Sequence, residues 1–329
     1  MSPPRAIVLG AGVVGAACAR ELAAAGAQVR VIDPGAGRAA ASWAAAGILS
    51  PSVPHQLAEP VHLLAERSLP LWHEIARGHP EIELRRTGAL LMGIDPAWIA
   101  WRAARGLTSE PTVLTATDGT QVDGVRFPEV QVVRTPRVPG ALLGDIPVER
   151  RAAQPLDDLR RECDMVVVAT GAWAAPHLAE LGLAVEVAPR RGQMMIFDRG
   201  DLDTVLMEKV AEGVAVPRAD GRVVVGTTLE DTGFDTETVD ADLARLEAWG
   251  RRWVPGLGRR EDAWAGLRPW SAAAGPTIAL AAPGVAVAVG HFRNGILLAP
   301  ATGELVADLL LGRPTRVPAG AYAAATIPA

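Results

Sequence analysis

Short apolar runs closed by glycine punctuate this chain. AIVLG (residues 6–10) reads as a buried parallel strand. ACARELAAAGA then reads as a helix ending near Gly26, and QVRVID as a second strand. DMVVVATG is a third buried strand ending in a glycine turn, and TGALLMGI (87–94), RGQMMIF, GVAVPR and RVVVGTTLE read as further strands. The helix ADLARLEAWGRRW follows them. AVAVGH is a late strand, and GILLAPATGELVADLLLG after it is an apolar helix, bent or reset at Pro300. Strand, helix and strand in succession at the N-terminus predict an α/β fold with a Rossmann-like unit.

Composition narrows the class. The 329 residues suit one large domain or two joined ones, and 49% hydrophobic against 21% charged is a globular balance. A net charge of −5 argues against nucleic acid as a main partner. Nearly all basic residues are arginine, a bias of composition that no spacing demands. Two cysteines provide no disulfide framework: Cys18 falls on a helix and Cys163 just before a strand, as packed residues. Arg5 followed by AIVLGAGVVGAACA has the outline of a signal peptide, but glycines at turn spacing and the charged Arg20-Glu21 favour strand, turn and helix. No run reaches the roughly 18 apolar residues of a membrane span, so no membrane partner and a cytoplasmic location are expected. No metal site is expected.

GAGVVG has the GxGxxG spacing of a dinucleotide turn. Gly10 allows the turn, Gly12 lets a pyrophosphate approach the backbone, and Gly15 lets helix and strand pack closely. Val13 and Val14 open the helix whose N–H groups would meet the phosphates. Asp33, 18 residues past Gly15, ends the second strand and can accept hydrogen bonds from ribose hydroxyls. AAASWAAAGILSP (39–51) reads either as backbone running close against a flat ligand or as a small-residue helix on a sheet. Its one polar exception, Ser42, is a candidate for a phosphate oxygen.

GAGVVG, Asp33, ASWAAAGILSP, VVVATGAWA, VPRADGRVVVGTTLEDTGFD, GLRPWS and GHFRNGILLAPATGELVADLL occur in that order. Together they resemble the FAD-dependent D-amino acid oxidase superfamily, most closely the glycine oxidases linked to thiazole biosynthesis, over residues 5–312. The resemblance implies an FAD-binding Rossmann-like domain and a smaller α+β substrate domain on a mostly antiparallel sheet. The FAD domain would comprise 1–85, 140–186 and 265–329; the substrate domain, 86–139 and 187–264. Non-covalent FAD would lie along Pro34, Ala41, Ser42, Ala46, Gly47, Ile48, Thr170 and Gly171 as well as the glycine turn, with Val148 touching the adenine through its backbone. The run His291, Phe292, Arg293, Asn294, Gly295, Ile296 and Leu297 would follow the isoalloxazine ring. The helix beginning there would face its N1–C2=O edge, and His291 reads equally as a structural histidine.

Arg268 in GLRPW is the expected carboxylate anchor, because a guanidinium binds a carboxylate bidentately. Arg293 would add charge at substrate or ring. Gly47, Ile48, Val214 and Leu229 would form the pocket wall. Two departures stand out. Residues 95–150 are compressed relative to the family, which would open the site or remove a lid. Val214 replaces a tyrosine whose hydroxyl helps hold the carboxylate in related oxidases, and the chain's one tyrosine, Tyr322, lies in the tail. The activity implied is oxidation of glycine or a small N-substituted glycine to imine and glyoxylate, with O2 reduced to hydrogen peroxide. The alternatives are a D-amino acid oxidase or dehydrogenase, and an FAD-binding protein without oxidase activity. Family members are often tetramers, so a homo-oligomer is compatible unless the shortened segment removes its interface.

Overall fold

A computed structural model describes residues 2–51, 58–209 and 213–323. Parts of the sequence division that fall on 1, 52–57, 210–212 and 324–329 lie outside them.

The N-terminal run forms the strand Arg5–Leu9, central in a six-stranded sheet. From one edge the order is Thr277–Ala282, Val285–Val289, Met165–Val168, Arg5–Leu9, Gln28–Ile32 and Val148–Glu149. All neighbours are parallel except the Thr277–Ala282 edge. Met165–Val168 and Val285–Val289 are buried throughout, because helices cover both faces of the sheet. The chain leaves Arg5–Leu9 in one direction to Gln28–Ile32 and later returns to its other side. That reversal opens a crevice at the carboxyl ends of the strands, where α/β sheets bind ligands.

The helices Val13–Ala24 and Gly295–Leu310 pack on one face. A Cβ added at Gly303 would lie 2.6 Å from the carbonyl oxygen of Ala17, so glycine permits the close crossing. Pro300 sits inside the second helix and brings no N–H to its ladder. Two residues one turn apart on the helix Glu59–Gly78 attend to this spot: Ser68 Oγ accepts from the Ala301 N–H at 3.2 Å, and Trp72 Nε1 donates to the Leu297 carbonyl at 3.1 Å. The helix therefore continues past its proline.

The second sheet has eight strands, in the order Arg260–Ser271, Val187–Phe197, Val223–Gly226, Gly213–Pro217, Val205–Glu208, Ala89–Met92, Gln121–Phe127 and Glu110–Thr115. Only the Val205–Glu208 and Ala89–Met92 pair is parallel. Residues 265–271, expected in the nucleotide-binding part, belong to this sheet, since Arg260–Ser271 pairs along the whole of Val187–Phe197. The compressed region supplies the two outer strands and the short helices Pro96–Ala103 and Val138–Leu143.

The period of two divides this sheet cleanly. Met195, Phe197, Val223, Val225 and Ala215 face the amphipathic helix Asp240–Trp253, packing on its Leu243, Leu246, Trp249 and Trp253. Met194, Val224, Val214, Val216 and Met207 face the other way. Register aligns Met194, Gly226, Val214, Met207 and Leu91 in one row across five strands. A third, small sheet of Ile48–Leu49, Gln131–Val132 and Arg85–Arg86 fixes the end of the small-residue run.

Candidate active site

A cavity of about 830 Å³ runs from the glycine turn of the first sheet to the Met194–Leu91 row of the second. That is within the usual size of cofactor pockets. Five carboxyl-end loops of the six-stranded sheet line it: residues 10–12, 33–37, 150–153, 169–171 and 290–295 contribute.

At the glycine turn, Gly10 has φ 101°, and a Cβ there would lie 2.9 Å from the carbonyl carbon of Ala169. Gly15 lies behind the cavity, where a side chain would overlap the Gly10 carbonyl; its role is the tight helix–strand crossing. Gly12 is the N-cap of Val13–Ala24 and has no side chain to cap it. Ser42 takes that part from 29 residues away, its Oγ accepting from the Val13 N–H at 2.8 Å. Asp33 accepts from the N–H groups of Ala11 at 2.5 Å and Gly35 at 2.6 Å, with Arg150 at 3.4 Å.

At the other end, the Arg268 guanidinium crosses Gly192. It donates to the Thr228 carbonyl at 3.0 Å, the Arg191 carbonyl at 3.3 Å and Thr227 Oγ1 at 2.5 Å. Those acceptors are themselves pinned. Thr228 Oγ1 accepts from the Gln193 N–H at 2.9 Å, and buried Arg191 pairs with Glu230 and Asp235 beneath the loop. Arg268 is therefore aimed into the cavity by a prebuilt cradle.

The turn before Gly295–Leu310 stands beside it. The Phe292 N–H donates to the Pro269 carbonyl at 3.0 Å, tying this turn to the strand of Arg268. Phe292 has φ 46°, a left-handed conformation that a bulky residue seldom adopts. Arg293 lies over the Phe292 ring at 5.5 Å. Asn294 is the N-cap of the helix and makes no side-chain cap bond, so first-turn N–H groups open onto the cavity at Gly295 and Ile296. His291 is buried with Nε2 3.0 Å from Thr302 Oγ1, and burial pulls its pKa down to about 3. It is a neutral, hydrogen-bonded histidine that helps seat the turn.

Pro34, Ala41, Ala46, Gly47, Ile48, Val14, Thr170, Gly171 and Val214 also line the cavity. Leu229 does not. It lies past the end of Val223–Gly226 on a loop where strand alternation no longer applies, and it is 39% exposed. Val148 is set back in the edge strand, and Arg150, Ala152 and Ala153 beyond it reach the cavity instead. Leu297 is buried in the core, its carbonyl held by Trp72. Tyr322 is far from the site and donates to the Pro60 carbonyl at 2.8 Å. Sequence reading misses Trp43, Leu91, Met194, Met207, Lys209 and Thr227 on the cavity wall, since only long-range pairing and packing bring them together.

A family model described as FAD dependent oxidoreductase matches residues 5–309. The chain belongs to that family. It is 34% identical to a glycine oxidase of Pseudomonas putida over 96% of this chain and 97% of the relative. It is 31% identical to a glycine oxidase of Pseudomonas aeruginosa over 98% of each. The fold is shared with the crystal structure of glycine oxidase from Geobacillus kaustophilus, at TM-score 0.80 and 23% identity, covering 97% of this chain and 98% of that one. Among the described residues no helix is long and apolar enough to cross a membrane.

The protein is thus an FAD-dependent amine or amino acid oxidoreductase, and its residues fit the cofactor. The Gly10–Gly12 turn admits a pyrophosphate where side chains would not fit. Two helices turn their N-termini to the same cavity, one of them capped from a distance by Ser42. Thr170 Oγ1 is buried without a hydrogen-bond partner, as expected of a group whose partner belongs to a ligand.

Proposed function

We propose that this oxidoreductase acts on glycine or a small N-substituted glycine. Bound FAD would supply the acceptor for a hydride from the substrate α-carbon, with O2 as the final oxidant reduced to hydrogen peroxide. The resulting imine hydrolyses to glyoxylate and the free amine. The observation that carries the reading is the Arg268 guanidinium, cradled by Thr227 and Thr228 and directed into the cavity beside the 291–295 turn.

Each residue then has a physical task. Arg268 holds the substrate carboxylate in a charge-assisted pair, which fixes the α-carbon relative to the turn. The N-terminus of Gly295–Leu310 and the Arg293 charge favour negative charge developing at the ring edge. Gly12, Val13 and Ser42 would hold the pyrophosphate of FAD, and Asp33 its ribose hydroxyls. The amine must be neutral before hydride leaves, and the apolar row of Met194, Val214, Met207 and Leu91 disfavours an ammonium there. Val214 in place of a tyrosine removes a hydroxyl and enlarges this apolar wall, which favours a substituent on nitrogen. The six-stranded sheet with its helices is the cofactor-binding part, and the eight-stranded sheet the substrate part.

Anaerobic visible spectra test this. Bleaching of the flavin bands by glycine or sarcosine, with D-alanine slower, is the expected result. Bleaching by D-alanine alone would move the assignment to a D-amino acid oxidoreductase, and bands unchanged by all three would overturn it.

A further inference from the structure

The chain has a single lysine, Lys209, and every other basic residue is arginine. That one residue lines the cavity. A composition so biased makes the lone exception informative, because lysine and arginine differ in chemistry: a compact point charge on a flexible stem against a rigid planar fork.

The strand before it sets its surroundings. Leu206 and Glu208 face the helix Asp240–Trp253, and Glu208 Oε2 accepts from Trp249 Nε1 at 2.6 Å. Met207 faces the cavity side with Val214 and Met194. Lys209 follows just past the strand end and lines the cavity, and its N–H donates to the Met92 carbonyl at 3.3 Å, holding it beside the neighbouring strand. The adjacent Glu208 carboxylate also borders the cavity, with one oxygen turned to Trp249.

Its distance from Arg268 is also set by the sheet. The Arg268 guanidinium bonds to Thr227 and Thr228, which continue Val223–Gly226. Val205–Glu208 lies two strands away, with Gly213–Pro217 between. At about 4.8 Å per strand, the Arg268 guanidinium, held at Thr227 and Thr228, stands roughly 10 Å from the Lys209 backbone, with the apolar Val214–Met207 floor between them.

We infer that the substrate carries a second anionic group on its nitrogen substituent, and that Lys209 binds it. The ligand class is an N-substituted glycine whose substituent ends in a carboxylate. One carboxylate pairs with Arg268, the methylenes cross the apolar floor, and the distal carboxylate meets the ammonium. This rests on the reading of Arg268 as the first anchor.

The test compares three amines on the flavin-loaded enzyme: N-(2-carboxyethyl)glycine, its terminal amide, and sarcosine. A charge-assisted contact supports a preference for the dicarboxylate over its amide of about tenfold or more in kcat/KM, expressed in KM. Lys209→Met should collapse that ratio towards one, Lys209→Arg should keep part of it, and high salt should narrow it. A ratio near one in the unaltered enzyme, with sarcosine still oxidised, would overturn the Lys209 assignment alone, and that arm needs no variant to fold. A ratio that survives Lys209→Met would overturn it as well. If none of the three amines bleaches the flavin, the oxidase reading falls and takes this one with it.

Discussion

A side chain at Gly192 would overlap the guanidinium of Arg268, which passes directly over it. The glycine pairs in register with Gly266, and Gly266 in turn leaves room for Ala44 of the cofactor-side segment. Two glycines thus bring Arg268 and the small-residue run against one stretch of sheet. Gly192→Ala should displace Arg268 and raise KM for the amine about tenfold or more, by loss of a charge-assisted pair. Arg268→Ala should raise it further. Both variants should keep the flavin spectrum, since neither residue is in the phosphate cradle. Michaelis constants beside absorbance ratios check this, and an unaltered KM in Arg268→Ala would remove the anchor.

Thr170 gives a test of the cofactor fit that does not depend on turnover. Its hydroxyl is buried and unpartnered within the protein. Thr170→Val keeps the shape and removes that unsatisfied group, so the apoprotein should be as stable as the wild type or more so. FAD should bind more weakly by about 0.5–1.5 kcal/mol, roughly two- to tenfold in Kd. Titration of apoprotein with FAD, alongside apoprotein melting, separates the two effects. Equal FAD affinity in both proteins would mean that the hydroxyl has no ligand partner.

Arg218, in the VPRADG run, is a structural support whose partners lie far off in sequence. It follows Gly213–Pro217, and its guanidinium donates to the carbonyls of Val133 at 3.1 Å and Ala46 at 3.2 Å. Burial, with Arg134 close by, lowers its pKa to about 10, so it stays charged at neutral pH. The Gly47 carbonyl accepts from Val133, so Arg218 clamps the crossing that places Ala46, Gly47 and Ile48 on the cavity. Arg218→Met should lower stability by about 1–3 kcal/mol, because two carbonyls lose their donors. FAD affinity should fall with it, and denaturant melts of the apoprotein and FAD titrations read these separately.

What could be read in the sequence was local. The Arg5–Leu9 strand, the Gly10–Gly15 turn, Asp33 and the Gly295–Leu310 helix each announce themselves within 20 residues, through glycine spacing and apolar period. Arg268 was legible through its GLRPW setting. The cradle beneath it was not, because Thr227 and Gly192 meet it only through strand pairings tens of residues apart. The same reason hides the row from Met194 to Leu91 and the link between Ser42 and Val13. Leu229, placed on the pocket wall by the resemblance alone, lies past the end of its strand, where the chain turns out to solvent. Residues 265–271 were misassigned because the strand Arg260–Ser271 runs without a break through the position chosen as a boundary.

His291 makes the pH dependence specific. Its folded pKa is about 3, against about 6.5 for an unperturbed histidine, because the ring is buried. The unfolded chain therefore binds a proton below about pH 6.5 that the folded chain refuses. Stability from this group is complete above that value and falls as pH drops from about 6.5 towards 3, by up to about 1.4 kcal/mol per pH unit. His177, whose pKa is also lowered by burial, adds in the same direction. His291→Gln should cost stability at pH 7, where the bond to Thr302 is disturbed, yet show a shallower decline between pH 6.5 and 4 than wild type. Because the ring stays neutral at the pH of assay, kcat should show no ionisation belonging to it. Parallel melts of the two proteins across that range decide the matter: identical slopes would mean that His291 is not buried neutral, and the turn that it seats beside Arg268 would need another support.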